Sequence, residues 1–140
     1  MAKITLGKRP KSFKRTLSFA MPNGETGTME VHFVYRTRTE YAKWSDDFQA
    51  EQRAAADKKA DALRAAVKDG DTVPDLTQLD LIAHQNAVQA KYLLGAIEGW
   101  SLDEPFNEEN VAQLVDELPA AVVAIMGDYR AAITEGRLGN

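Results

Sequence analysis

The spacing of apolar residues changes at Thr37, and that change limits the folds open to this chain. From Phe13 to Arg36 the side chains alternate: Phe13, Leu17 and Phe19 share one face, and Met29, Val31, Phe33 and Tyr35 share a face of the segment that follows. Period 2 is the pattern of half-buried strands. Between them, Pro22-Asn23-Gly24 and Gly27 supply the fixed φ and the positive-φ positions that an antiparallel connection needs. The spacing predicts a β-hairpin, with Ile4 to Leu6 as a short additional strand.

After Thr37 the pattern is helical. Thr39 is the expected N-cap, and Tyr41, Trp44 and Phe48 recur at spacings of three and four along a stripe expected to pack on the hairpin. From Ala50 to Ala66 (AEQRAAADKKADALRAA) the residues are strong helix formers with little to bury, so this helix projects into solvent or meets a partner through small side chains. Gly70 and Pro74 end it, and Leu76, Leu79, Ile82, Ala83, Ala90, Leu94 and Ile97 mark a second long helix running back antiparallel to the first. Val111, Leu114, Val115 and Leu118 form the face of a short helix. Val122, Met126, Tyr129 and Ile133 form that of a last one, with Pro119 at the junction and Gly136 at the end. The fold class is α+β: an N-terminal antiparallel β-hairpin of two or three strands, followed by about four α-helices. At 140 residues the chain suffices for one domain, 1–140, with a β-hairpin region at 1–37 and a helical region at 38–140.

Composition removes several chemistries. There is no cysteine, which excludes disulfides, thiolate catalysis and cysteine zinc sites. The two histidines, His32 on a strand and His84 in a helix, have no second ligand at metal spacing and read as structural or exposed. Neither GxxxxGK[ST] nor GxGxxG occurs, so nucleotide chemistry has no motif. No cofactor and no metal are expected. No stretch approaches the roughly 20 apolar residues of a membrane span, and no signal-peptide segment opens the chain, so a cytoplasmic protein without a membrane partner is expected.

Charge is unevenly placed. Residues 1–24 carry Lys3, Lys8, Arg9, Lys11, Lys14 and Arg15 with no acid, whereas residues 98–117 carry seven acids and no base. Such a split can support a small nucleic-acid-binding or regulatory module at the basic end, self-association between the two ends, or simply two solvated faces. The basic run holds a single aromatic, Phe13, short of a stacking platform, and an edge strand protected by lysines explains it equally well.

The densest polar cluster is GWSLDEPFNEENV at 99–111. Hydrolysis by paired carboxylates would need two of Asp103, Glu104, Glu108 and Glu109 held roughly 5 to 10 Å apart across a cleft, one with a raised pKa. Helix-start chemistry explains the same positions: Asn107 as N-cap, Glu108 and Glu109 in the first turn, and Phe106 with Val111 at the spacing of a hydrophobic staple. In the closing segment, Val122, Val123, Ile125, Met126 and Ile133 spread round more of the helix than one core-facing stripe uses. Either the same domain covers the surplus or another apolar helix does.

The C-terminal third resembles a known family. Gly99-Trp100, the PFNEENV run at 105–111, Leu118-Pro119, the Ile125-x-x-x-Tyr129 pair and the closing Gly136-Arg137-x-Gly139-Asn140 together are similar to the pattern of tail assembly chaperones of long-tailed bacteriophages, over about residues 92–140. The basic hairpin at 13–36 is not part of that pattern. The resemblance implies a non-enzymatic protein of the host cell cytoplasm, absent from the finished virion. Its implied partners are the long helical tape measure protein, which it keeps soluble, and tail tube subunits, which it helps recruit. The apolar residues expected to meet a partner are Trp100, Phe106, Val122, Met126 and Tyr129.

Overall fold

The computed structural model describes residues 3–67 and 76–136. Strands β1 (Ser12–Ala20) and β2 (Thr26–Val34) pair antiparallel, with Phe13 opposite Phe33 and Leu17 opposite Met29. The hairpin closes at Gly24, whose φ of 86° suits a residue without Cβ. Its N–H donates to the Met21 carbonyl at 2.9 Å, and the Met21 N–H donates to the Glu25 carbonyl at 2.8 Å.

The third strand is not Ile4 to Leu6. Those residues have no regular structure, and Ile4 and Leu6 are 88% and 94% exposed. Instead β3 (Ile97–Trp100) lies along the free edge of β2, giving the order β1-β2-β3. The physical reason is delivery. The preceding helix carries Ile97 straight to the sheet, where it is almost fully buried, whereas Pro10 and a positive-φ Gly7 turn the chain between Leu6 and β1. Val31 pairs with Trp100 and Phe33 with Ile97, a bulge that leaves Glu98 as an extra, exposed residue.

Among the described residues four helices follow the hairpin: α1 (Arg38–Ala66), α2 (Gln78–Ala96), α3 (Glu108–Glu117) and α4 (Pro119–Glu135). The cap of α1 is Thr37, not Thr39. Thr37 stands three residues before Glu40, and the two exchange side-chain-to-backbone bonds at 3.2 and 2.9 Å in a capping box; Thr39 has only Ala42 at that spacing. Thr77 and Asp80 repeat the device on α2. Gly136, at φ 65°, ends α4, while the expected turn at Gly70 and Pro74 lies outside the described residues. Trp44 meets Gly95, Phe48 meets Tyr92, and Ala56 to Leu63 face Leu76 to His84, so α1 and α2 run antiparallel.

The core lies between the sheet, the last turns of α2, and α3 with the first two-thirds of α4, built from Leu17, Met29, Val31, Phe33, Leu93, Ile97, Val111, Val115, Val122, Ile125 and Tyr129, among others. The α1 stripe reaches it sideways. Trp44 packs 4.9 Å from the Tyr92 ring and 6.0 Å from Tyr129, and Tyr41 lies 5.7 Å from Tyr129, because α4 already covers the hairpin. Beyond Phe48 the burial stops: α1 has no buried residue, and α2 residues 78–85 are all exposed. These two segments project together from the core.

Candidate partner-binding site

The five residues expected to meet a partner divide into two groups. Val122 and Tyr129 have no exposed surface and serve the core, so they present no face to a partner in this conformation. Tyr129 stacks on Phe33 at 4.9 Å, and its hydroxyl donates to the Val34 carbonyl at 2.8 Å while accepting from Arg36 Nη1 at 2.8 Å. Burial pushes its phenol pKa up, as it does that of Tyr92. The spread of apolar positions round α4 has a plain cause: the helix is covered by β1 on one side and by α2 and α3 on others. Met126 packs half-buried against the core, and on this helix only Val123, 69% exposed, remains a large apolar residue in solvent.

Trp100 and Phe106 are half-buried partners, edge to face with ring centroids 5.2 Å apart. Trp100 Nε1 donates to the Glu104 carbonyl at 2.7 Å, closing the loop between β3 and α3. Behind them a pocket of about 200 Å³ is lined by Trp100, Leu102, Leu114, Leu118, Glu104 and Glu117, among others.

The acidic run behaves as helix-start chemistry. Asn107 Oδ1 accepts the Asn110 N–H at 2.8 Å, Asn110 Nδ2 donates to the Pro105 carbonyl at 2.7 Å, and Glu108 and Glu109 occupy the first turn of α3. Asp103, Glu104, Glu108 and Glu109 all face solvent. His32 sits 3.4 Å from Glu30, and among the described residues no three side chains of metal-ligating type come together. No single described helix is long and apolar enough to cross a membrane.

Much of the basic hairpin is tied to the chain itself. Arg15 grips Asp128 through two bonds of 2.9 and 3.1 Å, with both side chains nearly buried, and so fastens β1 to α4. Arg9 pairs with Glu40 at 2.7 Å, and Lys14 lies 3.9 Å from Glu30. A cleft of about 580 Å³ beside these residues, between Phe13, Tyr35 and Ile133, also holds engaged arginines: Arg36 bonds Tyr129 and the Gly95 carbonyl, and Arg38 donates to the Thr134 carbonyl at 2.8 Å.

On the projecting pair, the sequence pointed to the alanine face of α1 as a projecting or partner-meeting surface but missed the exposed leucines that face it. A groove of about 350 Å³ runs between Ala56, Ala60 and Leu63 on α1 and Leu76, Leu81 and His84 on the α2 side, with Lys59 and Asp80 also lining it. Its Leu63, Leu76 and Leu81 are 39%, 61% and 54% exposed, and elsewhere on the same projection Leu79 and Ile82 are 77% and 43% exposed. The Asp80 carboxylate is held below its ordinary pKa by the Thr77 N–H, which keeps the helix start charged. The signal was present as an apolar stripe, but period alone assigns such a stripe to the core. Only the neighbour shows otherwise: an alanine and charge face cannot cover leucines.

A family model described as phage tail assembly chaperone matches residues 1–140. No curated protein and no solved structure matches the chain.

Proposed function

Because this chain belongs to the phage tail assembly chaperone family, we propose that it holds helical segments of the tape measure protein in the α1–α2 groove. The observation that carries this reading is the groove lined by the exposed Leu63, Leu76 and Leu81 on a two-helix projection. Contiguous apolar surface of this kind marks a binding face. Its geometry suits a helix: Ala56 and Ala60 keep one wall low, so the larger residues of an amphipathic helix, spaced i, i+3, i+4 and i+7, enter between the leucines. A tape measure chain held this way keeps its apolar stripes from pairing with one another.

In this reading the chaperone acts in the host cell cytoplasm, helps bring tail tube subunits to the held chain, and is released before the virion is complete. A nucleic-acid role draws less support, since Arg9, Lys14 and Arg15 are paired with Glu40, Glu30 and Asp128.

Co-expression with the tape measure protein of the same phage tests the reading. The expected result is a more soluble tape measure protein and a complex that survives sizing chromatography, with Leu63→Asp/Leu81→Asp abolishing both. Clean separation of the two wild-type proteins contradicts it.

A further inference from the structure

The cleft of about 580 Å³ between β1, the start of α1 and the end of α4 keeps positive charge that the described residues do not neutralise. Arg36 and Arg38 line it beside Phe13, Tyr35 and Ile133, and among the described residues no acid does. The acids nearby are committed elsewhere: Asp128 is held by Arg15, and Glu40 by Arg9. Arg36 and Arg38 bond only neutral oxygens, those of Gly95, Tyr129 and Thr134, and neither makes an ion pair with a described residue. Nor do Lys8 and Lys11, which flank the lining residue Pro10. A bond to a neutral acceptor fixes a guanidinium in place without cancelling its charge, so these four cations lack counter-charge. The walls are already set. Arg15 ties β1 to α4, Arg38 ties the start of α1 to Thr134, and the Tyr35 N–H donates to the Lys11 carbonyl at 3.0 Å. A ligand entering such a cleft has little to order.

We propose that this cleft takes an extended segment of a partner polypeptide in which an acidic side chain stands beside a large apolar one. The carboxylate meets the guanidiniums of Arg38 and Arg36, and the apolar side chain lies against Phe13, Tyr35 and Ile133. Charge complementarity selects the acid. Both Nη atoms of Arg38 have no partner among the described residues, and a planar guanidinium pairs best with a carboxylate it can grip twice. The apolar wall selects the neighbour, since a bare anion would leave it uncovered. A polynucleotide fits less well: Phe13 is committed to Phe33 at 5.4 Å and Tyr35 at 6.4 Å, which leaves no row of aromatic rings for stacked bases. The site shares no residue with the α1–α2 groove, so a partner held there does not compete with a helix held in the groove.

Titration of the full chain, followed by the NMR signals of the arginine Nε–H groups and the Ile133 methyls, tests this with three probes. They are a blocked tetrapeptide reading glutamate, leucine, phenylalanine, glutamate; the same peptide with glutamines in place of the glutamates; and single-stranded oligothymidylate. The acidic peptide is expected to shift the Arg38 and Ile133 signals to saturation and to bind about tenfold or more tightly than the glutamine peptide. At about 1 M salt most of that difference is lost. Arg38→Gln, on an exposed residue, is expected to weaken the acidic peptide about tenfold. Lys8→Glu/Lys11→Glu, outside every helix and strand, weakens it as well and tests the charge without touching the fold. An acidic peptide that produces no saturable shift overturns the proposal. So do equal binding of the two peptides, binding indifferent to both sets of substitutions, or oligothymidylate that saturates the same signals more tightly than the acidic peptide.

Discussion

The indole of Trp44 lies against Gly95 so closely that a Cβ built on the glycine would stand 2.9 Å from ring atom Cζ2. On the same indole the Arg36 guanidinium rests 4.4 Å from the ring centroid, and Arg36 also donates to the Gly95 carbonyl at 2.9 Å. This node joins the end of β2, the first turns of α1 and the last turn of α2. It anchors the projecting helices, because beyond it only Phe48 of α1 still packs on the core.

Gly95→Ala is therefore expected to destabilise, although alanine in a helix normally gains up to about 1 kcal/mol over glycine. Displacing the indole reverses the sign, with a net loss of about 1–3 kcal/mol. Urea unfolding followed by tryptophan emission measures it; a stabilised variant shows that the indole moves freely.

Arg15 and Asp128, 11% and 12% exposed, form the bidentate tie between β1 and α4. Removing one charge leaves the other nearly buried, so Asp128→Asn is expected to cost about 3 kcal/mol. Arg15→Met/Asp128→Leu is expected to recover part of that loss in a thermal melt, because both charges of the nearly buried pair are then removed together.

Tyr92 and Tyr129 titrate above the ordinary tyrosine range because burial disfavours the phenolate. Their folded pKa values are raised, so above about pH 10 the unfolded chain loses these protons first and binds fewer than the folded one. Stability is full below that pH and falls above it, by at most about 1.4 kcal/mol per pH unit for each tyrosine. Equilibrium unfolding from pH 8 to pH 11.5 checks the slope, and Tyr92→Phe is expected to make it shallower.

The acidic run separates capping from catalysis by a simple contrast. Asn107→Ala removes the acceptor for the Asn110 N–H and is expected to cost about 1 kcal/mol. Glu108→Gln and Glu109→Gln, on exposed first-turn residues, act only through the helix dipole and cost less, a few tenths of a kcal/mol each at ordinary salt. Equal effects from all three contradict the capping assignment.

The hairpin, the cap at Asn107, the Pro119 junction and the Gly136 stop were legible because each rests on chemistry within a few residues. What failed needed partners distant in sequence. Ile97 lies at the end of a helical stripe, yet it enters a strand because β2 offers a free edge there. Leu76, Leu79 and Ile82 carry a core-like period, yet they stay exposed because the facing helix has alanines and charges to offer. Val122 and Ile125 belonged to an apparent surplus on α4, yet neighbours on several sides absorb them. A stripe shows that a residue is apolar; whether it is covered depends on what stands opposite.

Hydrogen–deuterium exchange of the chain, alone and with its tape measure protein bound, asks most directly whether the α1–α2 groove is the holding surface. Protection is expected to rise over residues 56–63 and 78–84, where exposed helix now projects, with little change in the buried amides of β2 and α4. Binding that leaves these two segments unprotected and protects the surface around Trp100 and Phe106 instead would contradict the groove assignment.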